Sequence, residues 1–185
     1  MKKATEQLRA EHEGIQLMLR ILEAICLKLD AGEKVNPDHL EGIIGFFRVF
    51  VDRCHHGKEE DLLFPLMEAA GVIKQGGPLG VMLSEHDMGR GHVRGMAEAL
   101  AKYKVENGKS ASELAAHARE YIALLRAHIE KENMVLFPMA DAHVSEARQE
   151  KLYDEFEKLE QEKIGTGVHE GFHRLLDDLA KTYLS

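Results

Sequence analysis

The stretch His55-x-x-x-Glu59-x-x-x-x-Phe64-Pro65 recurs as His128-x-x-x-Glu132-x-x-x-x-Phe137-Pro138, at a constant offset of 73 residues. A third element repeats almost in step: Glu11-His12-Glu13 returns as Glu85-His86-Asp87, 74 residues later. Self-similarity at one offset marks a duplicated supersecondary unit. The apolar residues around each copy tell which unit it is. Leu8, His12, Ile15, Leu19, Leu22, Cys26 and Leu29 follow at steps of four and three, a single helical seam over about residues 4–29 with a histidine inside it. Leu40, Ile44, Phe47, Val51, His55, Glu59, Leu62 and Leu66 form a second seam, running to about Met67. Leu79, Met82, His86, Gly89, Val93, Met96, Leu100 and Tyr103 form a third, over about 78–105. Leu114, Tyr121, Leu125, His128, Glu132, Val135 and Met139 form a fourth.

The punctuation between seams agrees. Ala31-Gly32 closes the first helix, and Asn36-Pro37 opens the second with a cap and a proline at the first helical position. Gly71 and Gln75-Gly76-Gly77-Pro78 break the chain before the third helix. Asn107-Gly108 ends that helix, and Ser110 with Glu113 reads as a capping box for the fourth. Four long helices with short loops predict an all-α, antiparallel up-down-up-down four-helix bundle over residues 1–140. Residues 141–185 are expected to form a C-terminal helical extension packed on that bundle, with Leu152, Phe156 and Leu159 as a narrow apolar stripe.

Antiparallel packing brings His12 level with His55 and His86 level with His128, and the pseudo-twofold repeat brings both pairs to one layer. Glu59 and Glu132 stand one turn from their histidines on the same face. Two carboxylates buried beside four imidazoles have no apolar rationale, because an isolated buried carboxylate is costly enough to protonate. A pair of divalent cations removes the cost. Bridging carboxylates with terminal imidazoles suit iron, manganese or zinc; iron is favoured and copper fits least. The expected metal residues are His12, His55, Glu59, His86, His128 and Glu132. His56 with Glu60 has the same spacing, but lies one residue off the seam. The Phe-Pro pairs are expected to kink the helices below the site.

The arrangement His12 … His55-x-x-x-Glu59 … His86 … His128-x-x-x-Glu132 resembles the hemerythrin-like, HHE cation-binding family over about residues 5–140. The resemblance implies a four-helix bundle around two iron ions, oxo- or hydroxo-bridged, with His12 and His55 on one, His86 and His128 on the other, and Glu59 and Glu132 bridging both. It also implies a small diatomic ligand or peroxide as the partner. One departure stands out. Oxygen-carrying members place a histidine four residues after the third-helix histidine, and here that residue is Arg90. His92, about 240° round the helix from His86, does not substitute. Reversible carriage of oxygen is therefore less secure. Sensing of oxygen or nitric oxide, redox turnover of peroxide or nitric oxide, and iron storage or donation remain open.

Other features narrow the field. A formal net charge of −8 leaves no basic stripe for nucleic acid and no attraction to an anionic membrane. Met1-Lys2-Lys3 is followed by Glu6, Arg9, Glu11 and His12, so no secretory leader is expected, and no apolar run reaches the ~20 residues of a membrane span. The expected compartment is cytoplasmic, the expected state a monomer or small homo-oligomer. Cys26 and Cys54 fall roughly 20 Å apart along the bundle and are expected to be free thiols. His169-Glu170-Gly171-Phe172-His173 matches His-Glu-x-x-His, but no third ligand follows and no second domain forms a cleft. His39, His117 and His143 read as surface or packing histidines. Gly89, on a seam one turn from His86, leaves room beside the second iron for a ligand, with Arg90 next to it.

Overall fold

The computed structural model describes residues 3–105, 110–165 and 167–184. Helix α1 spans Ala4–Asp30. Helix α2 spans residues 37–69, made of α-helical Pro37–Phe46, π-helical Phe47–His56 and Glu59–Leu63, and α-helical Phe64–Ala69. Helix α3 is Pro78–Val105. Helix α4 spans residues 111–143: Ala111–Lys131, a π-helical turn Glu132–Leu136, then Phe137–His143. These four pack antiparallel as an up-down-up-down bundle. Helices α5, Glu146–Lys163, and α6, Val168–Tyr183, follow.

The expected start of α2 holds: Asn36 Oδ1 accepts from the Asp38 N–H at 2.9 Å, with Pro37 at the first helical position. At the end of α1, Gly32 adopts φ +74°, which lets the Glu33 N–H reach back to the Lys28 carbonyl. The Ser110–Glu113 capping box does not form. Ser110 is the cap residue without a capping side-chain bond, and Glu113 instead accepts from Lys102 on α3. Asn107-Gly108 lies outside the described residues.

The apolar core divides in two. One cluster, with Ile15, Leu19, Phe47, Val51, Met96 and Leu125, fills the bundle toward the α1–α2 loop; the other, with Leu8, Leu63, Phe64, Met82, Leu136 and Phe137, fills the opposite end. Along every bundle helix the polar residues fall between the two clusters. The site is thus a polar layer with dry packing on either side.

The structure corrects the seams at one point in each half. Leu62, Leu66 and Val135 were expected inside. Instead Leu63, Met67, Leu136 and Ala140 are buried, Leu62 and Leu66 are partly exposed, and Val135 is 51% exposed. The cause is the same in both places. The Phe64 N–H donates to the Glu59 carbonyl and the Phe137 N–H to the Glu132 carbonyl, five residues back, and each widened turn advances the inward face by one residue. Each π turn runs directly into its Phe-Pro pair, where proline removes a backbone donor.

Helix α5 lays Leu152 and Phe156 against the second cluster, and α6 inserts Leu176 and Leu179 into the first. Full burial of such side chains contributes ~1.5–3 kcal/mol each to the packing of the extension on the bundle. Phe172 of α6 meets Phe46 edge to face, centroids 5.4 Å apart. Among the described residues no helix is long and apolar enough to cross a membrane. Cys26 and Cys54 are free and buried, and burial pushes their thiols up to about 11 and about 12, which makes them poor nucleophiles.

Candidate metal centre

Four imidazoles meet in two pairs. His12 Nε2 lies 3.0 Å from His55 Nε2, and His86 Nε2 lies 3.0 Å from His128 Nε2. The other ring nitrogen of each is held from behind. His55 Nδ1–H donates to Glu11 at 2.8 Å, His128 Nδ1–H to Glu85 at 2.8 Å, His86 Nδ1–H to Glu60 at 2.7 Å, and His12 Nδ1–H to the Asn133 side-chain oxygen at 3.0 Å. An acceptor at Nδ1 fixes the proton there and aims the lone pair of Nε2 into the layer. Phe137 stacks on His12 and Phe64 on His86, at 5.5 and 5.9 Å, so the repeated phenylalanines orient imidazoles.

The carboxylates cross-link the pairs. Glu132 reaches His12 at 3.2 Å and His128 at 3.1 Å; Glu59 reaches His55 at 3.6 Å and His86 at 3.4 Å. Each carboxylate therefore addresses one imidazole of either pair. All four carboxylate oxygens are buried without a hydrogen-bond partner. Such groups demand another partner. Burial, then the charge of Glu132, drives the Glu59 carboxyl well above its ordinary value, since two buried carboxylates cannot ionise together without a counter-charge. Burial likewise drives His55 down to about 4, so its lone pair is available. This donor chemistry fits divalent cations.

The structure brings all six expected residues together. It also adds one. His56 is buried, its ring stacked on His86 at 3.8 Å and edge-on to His128 at 5.9 Å. The donors fall into two groups, His12, His55, Glu59 and Glu132, and His56, Glu59, His86 and His128, within each of which the ligand atoms lie within 4.8 Å of one another. The sequence reading put His56 off the seam by assuming 3.6 residues per turn. In the π-helical stretch Phe47–His56 consecutive residues turn through a smaller angle, so His55 and His56 both face inward. The repeat offers no hint of it, because the equivalent position in the second half is Ile129.

Arg90 neither points into the layer nor lies loose in solvent. It donates to Asp52 and Glu60 at 2.7 Å each and to Asp87 at 2.9 Å. Glu60 holds His86, so the arginine braces that histidine through its acidic neighbour; Asp52 lies 3.6 Å from His56 Nδ1, which is buried without a hydrogen-bond partner. Beside it is a cavity of about 180 Å³, with Phe47, Val93 and Tyr121 as apolar wall and His56, Gly89 and Arg90 as lining nearest the layer. A Cβ on Gly89 would meet the Tyr121 ring at 3.4 Å, so any larger side chain takes this space.

Behind His55 the network continues outward, into the C-terminal extension. Lys58 is 0% exposed and donates to Glu11 at 2.5 Å and to Glu160 of α5 at 2.8 Å; Glu160 in turn pairs with His169 of α6 at 2.7 Å. Burial disfavours the ammonium, but Glu11 and the bond to Glu160 together outweigh it and keep Lys58 charged. This was missed in the sequence, although the signal was there: Lys58 and Lys131 share the 73-residue offset, and Glu11 and Glu85 the 74. His169 and His173 stack at 4.8 Å, and among the described residues no metal-type cluster includes them. His39 bonds the Tyr183 hydroxyl, and His143 the Met139 carbonyl.

A helical bundle with a buried layer of paired histidines and bridging-type carboxylates belongs to a class of cation-binding proteins. Residues 3–140 match the hemerythrin HHE cation-binding domain, and the chain belongs to that family. It is also similar to an uncharacterized protein of Mycobacterium bovis and to uncharacterized proteins of two strains of Mycobacterium tuberculosis. Each is 25% identical over 177 residues, which span 96% of this chain and 68% of the relative. That similarity runs through the extension as well as the bundle.

Proposed function

We propose that this is a non-haem di-iron protein that binds or senses oxygen or nitric oxide. The observation that carries the reading is the pairing of each buried carboxylate with one imidazole from each histidine pair, which suits two cations about a carboxylate apart and no single cation. His12 and His55 would hold one iron, His86 and His128 the other, with Glu59 and Glu132 spanning both. His56 would supply a fifth imidazole to the second iron, from α2 rather than from the position that Arg90 occupies. The irons, when bound, would supply reversible ligand and electron chemistry; the protein supplies a fixed donor set between two apolar clusters and a cavity lined by His56.

The cavity beside Gly89 and His56 supports a ligand route from outside. The reduced, iron-loaded protein, mixed anaerobically with oxygen or with nitric oxide, should give a spectrum that reverses when the gas is removed. Immediate one-way oxidation by oxygen, with no nitric oxide adduct, would sink the binding reading; turnover of peroxide or nitric oxide above that of free iron would shift it to a redox enzyme. Gly89→Leu should keep iron and helicity and weaken azide or nitric oxide binding at least ~10-fold, the loss of ~1.4 kcal/mol. Unchanged azide binding would move the ligand route elsewhere.

A further inference from the structure

Away from the bundle layer, on the outer seam between α3 and α4, three donor side chains converge: His92 on α3, and His117 and Glu120 on α4. Their ligand atoms lie within 4.8 Å of one another. We propose that His92, His117 and Glu120 form a second, independent cation site that takes one divalent ion of the zinc class.

Two features set this cluster apart from a chance surface pair. The first is the space made for His117. A Cβ on Gly95 would fall 2.5 Å from His117 Cε1 and 2.6 Å from both ring nitrogens. The imidazole thus fills the volume that any other residue at position 95 would take. Glycine in a helix interior costs ~1 kcal/mol relative to alanine, and here it admits a ring. The second feature is that the ring so admitted gains no hydrogen bond from its burial: His117 Nδ1 is buried without a partner. A packing histidine buried for stability would be bonded there.

The geometry suits a tetrahedral ion. Bonds of ~2.0–2.2 Å place neighbouring ligand atoms ~3.3–3.6 Å apart. His92 Nδ1 and Glu120 Oε2 are already 3.3 Å apart, and the ligand atom of His117 lies within 4.8 Å of both. His92 stands three residues before Gly95 and His117 three before Glu120, so each pair shares one face of its helix. Two imidazoles and one carboxylate select zinc-class ions over calcium or magnesium, and the exposed side of Glu120 leaves the fourth position to water. His117 lies 11 residues from His128 on the same helix, roughly 16 Å along the axis, so the site clamps α3 to α4 without touching the bundle layer.

The test uses the iron-loaded full chain, titrated with zinc against a chromophoric chelator, with metal analysis after dialysis. The parent should bind one zinc per chain in addition to its iron. His117→Ala, and Glu120→Gln on the solvent side, should each weaken that zinc at least ~10-fold. Gly95→Ala should do the same while keeping all three ligands, because it expels the His117 ring. The absorption of the bundle centre and the far-ultraviolet circular dichroism should stay as in the parent throughout. Equal zinc binding by the parent and all three variants would assign the zinc to other histidines and overturn the proposal, as would no zinc binding by the parent.

Discussion

The two halves of the bundle carry the same chain of groups behind the inward imidazole, and finish it differently. In the first half His55 is held by Glu11, Glu11 by Lys58, and Lys58 is sealed by Glu160 of α5. In the second His128 is held by Glu85 and Glu85 by Lys131, whose side chain is 42% exposed and ends in solvent. The residues are duplicated; the environment is not. The extension covers one copy, and residues 141–185 lie outside the matched family domain. An identical motif is thus a surface ion pair in one place and a buried charge network in another, according to what packs over it.

That contrast gives its largest effect at the lysines. Lys58→Ala removes the ammonium shared by Glu11 and Glu160, and breaking a buried pair in this way costs ~3–5 kcal/mol. Lys131→Ala removes an exposed partner and should cost ~0–1 kcal/mol. Urea unfolding of both variants measures the difference directly; equal losses would mean that the extension does not bury Lys58 in solution.

A second break concerns the layer itself. In metal-free protein Glu59 is held well above its ordinary carboxylate value, so its ionised form is penalised by folding. The sign follows: the penalty is absent below the unfolded value of 4.5 and grows as pH rises toward the folded value. Glu59→Gln should therefore stabilise the metal-free bundle at neutral pH by ~1–4 kcal/mol, as neutral replacement of buried ionic groups can do, while abolishing tight metal binding. The parent should gain stability on loading with metal and lose it to chelators. Calorimetry of parent and variant, with and without iron, checks both halves of the statement. A Glu59→Gln protein that melts below the metal-free parent would contradict it.

The smallest effect belongs to the pair that only the first half owns. His169 and burial act on Glu160 in opposite directions, and the hydrogen bond from His169 wins, holding it at about 2; the same bond raises His169. Glu160 contributes stability above about 4.5, lost as pH falls toward 2. His169 contributes fully below about 6.5, lost as pH rises through its folded value. His169→Ala should thus cost up to ~1 kcal/mol, most visibly between pH 4.5 and 6.5, discounted because the pair is partly solvated. A deficit that is flat with pH would show that His169 acts by packing alone.

Much of this architecture is legible in the sequence. The 3.6-residue period set four helices, and Asn36-Pro37 and Gly32 set their ends, because capping and left-handed backbone are local chemistry. The duplicated His-Glu pattern brought His12, His55, Glu59, His86, His128 and Glu132 to one level for the same reason: antiparallel helices convert sequence distance into height. What stayed hidden were departures from that period. The π turns at Glu59 and Glu132 moved the buried face from Leu62 to Leu63 and from Val135 to Leu136, and the longer π stretch turned His56 inward. No residue type announces a five-residue turn, although the proline six residues downstream of each glutamate is a usable hint. The role of Lys58 was hidden differently, because its burial depends on Glu160, a contact across 102 residues of chain.

The central claim, two carboxylate-bridged irons in the layer between the two apolar clusters, is tested most directly by metal analysis joined to Mössbauer spectroscopy of the iron-loaded protein. The account predicts about two irons per chain, magnetically coupled, with both lost together in Glu132→Ala because that carboxylate serves each histidine pair. One iron per chain, or two uncoupled irons of which Glu132→Ala removes only one, would contradict it.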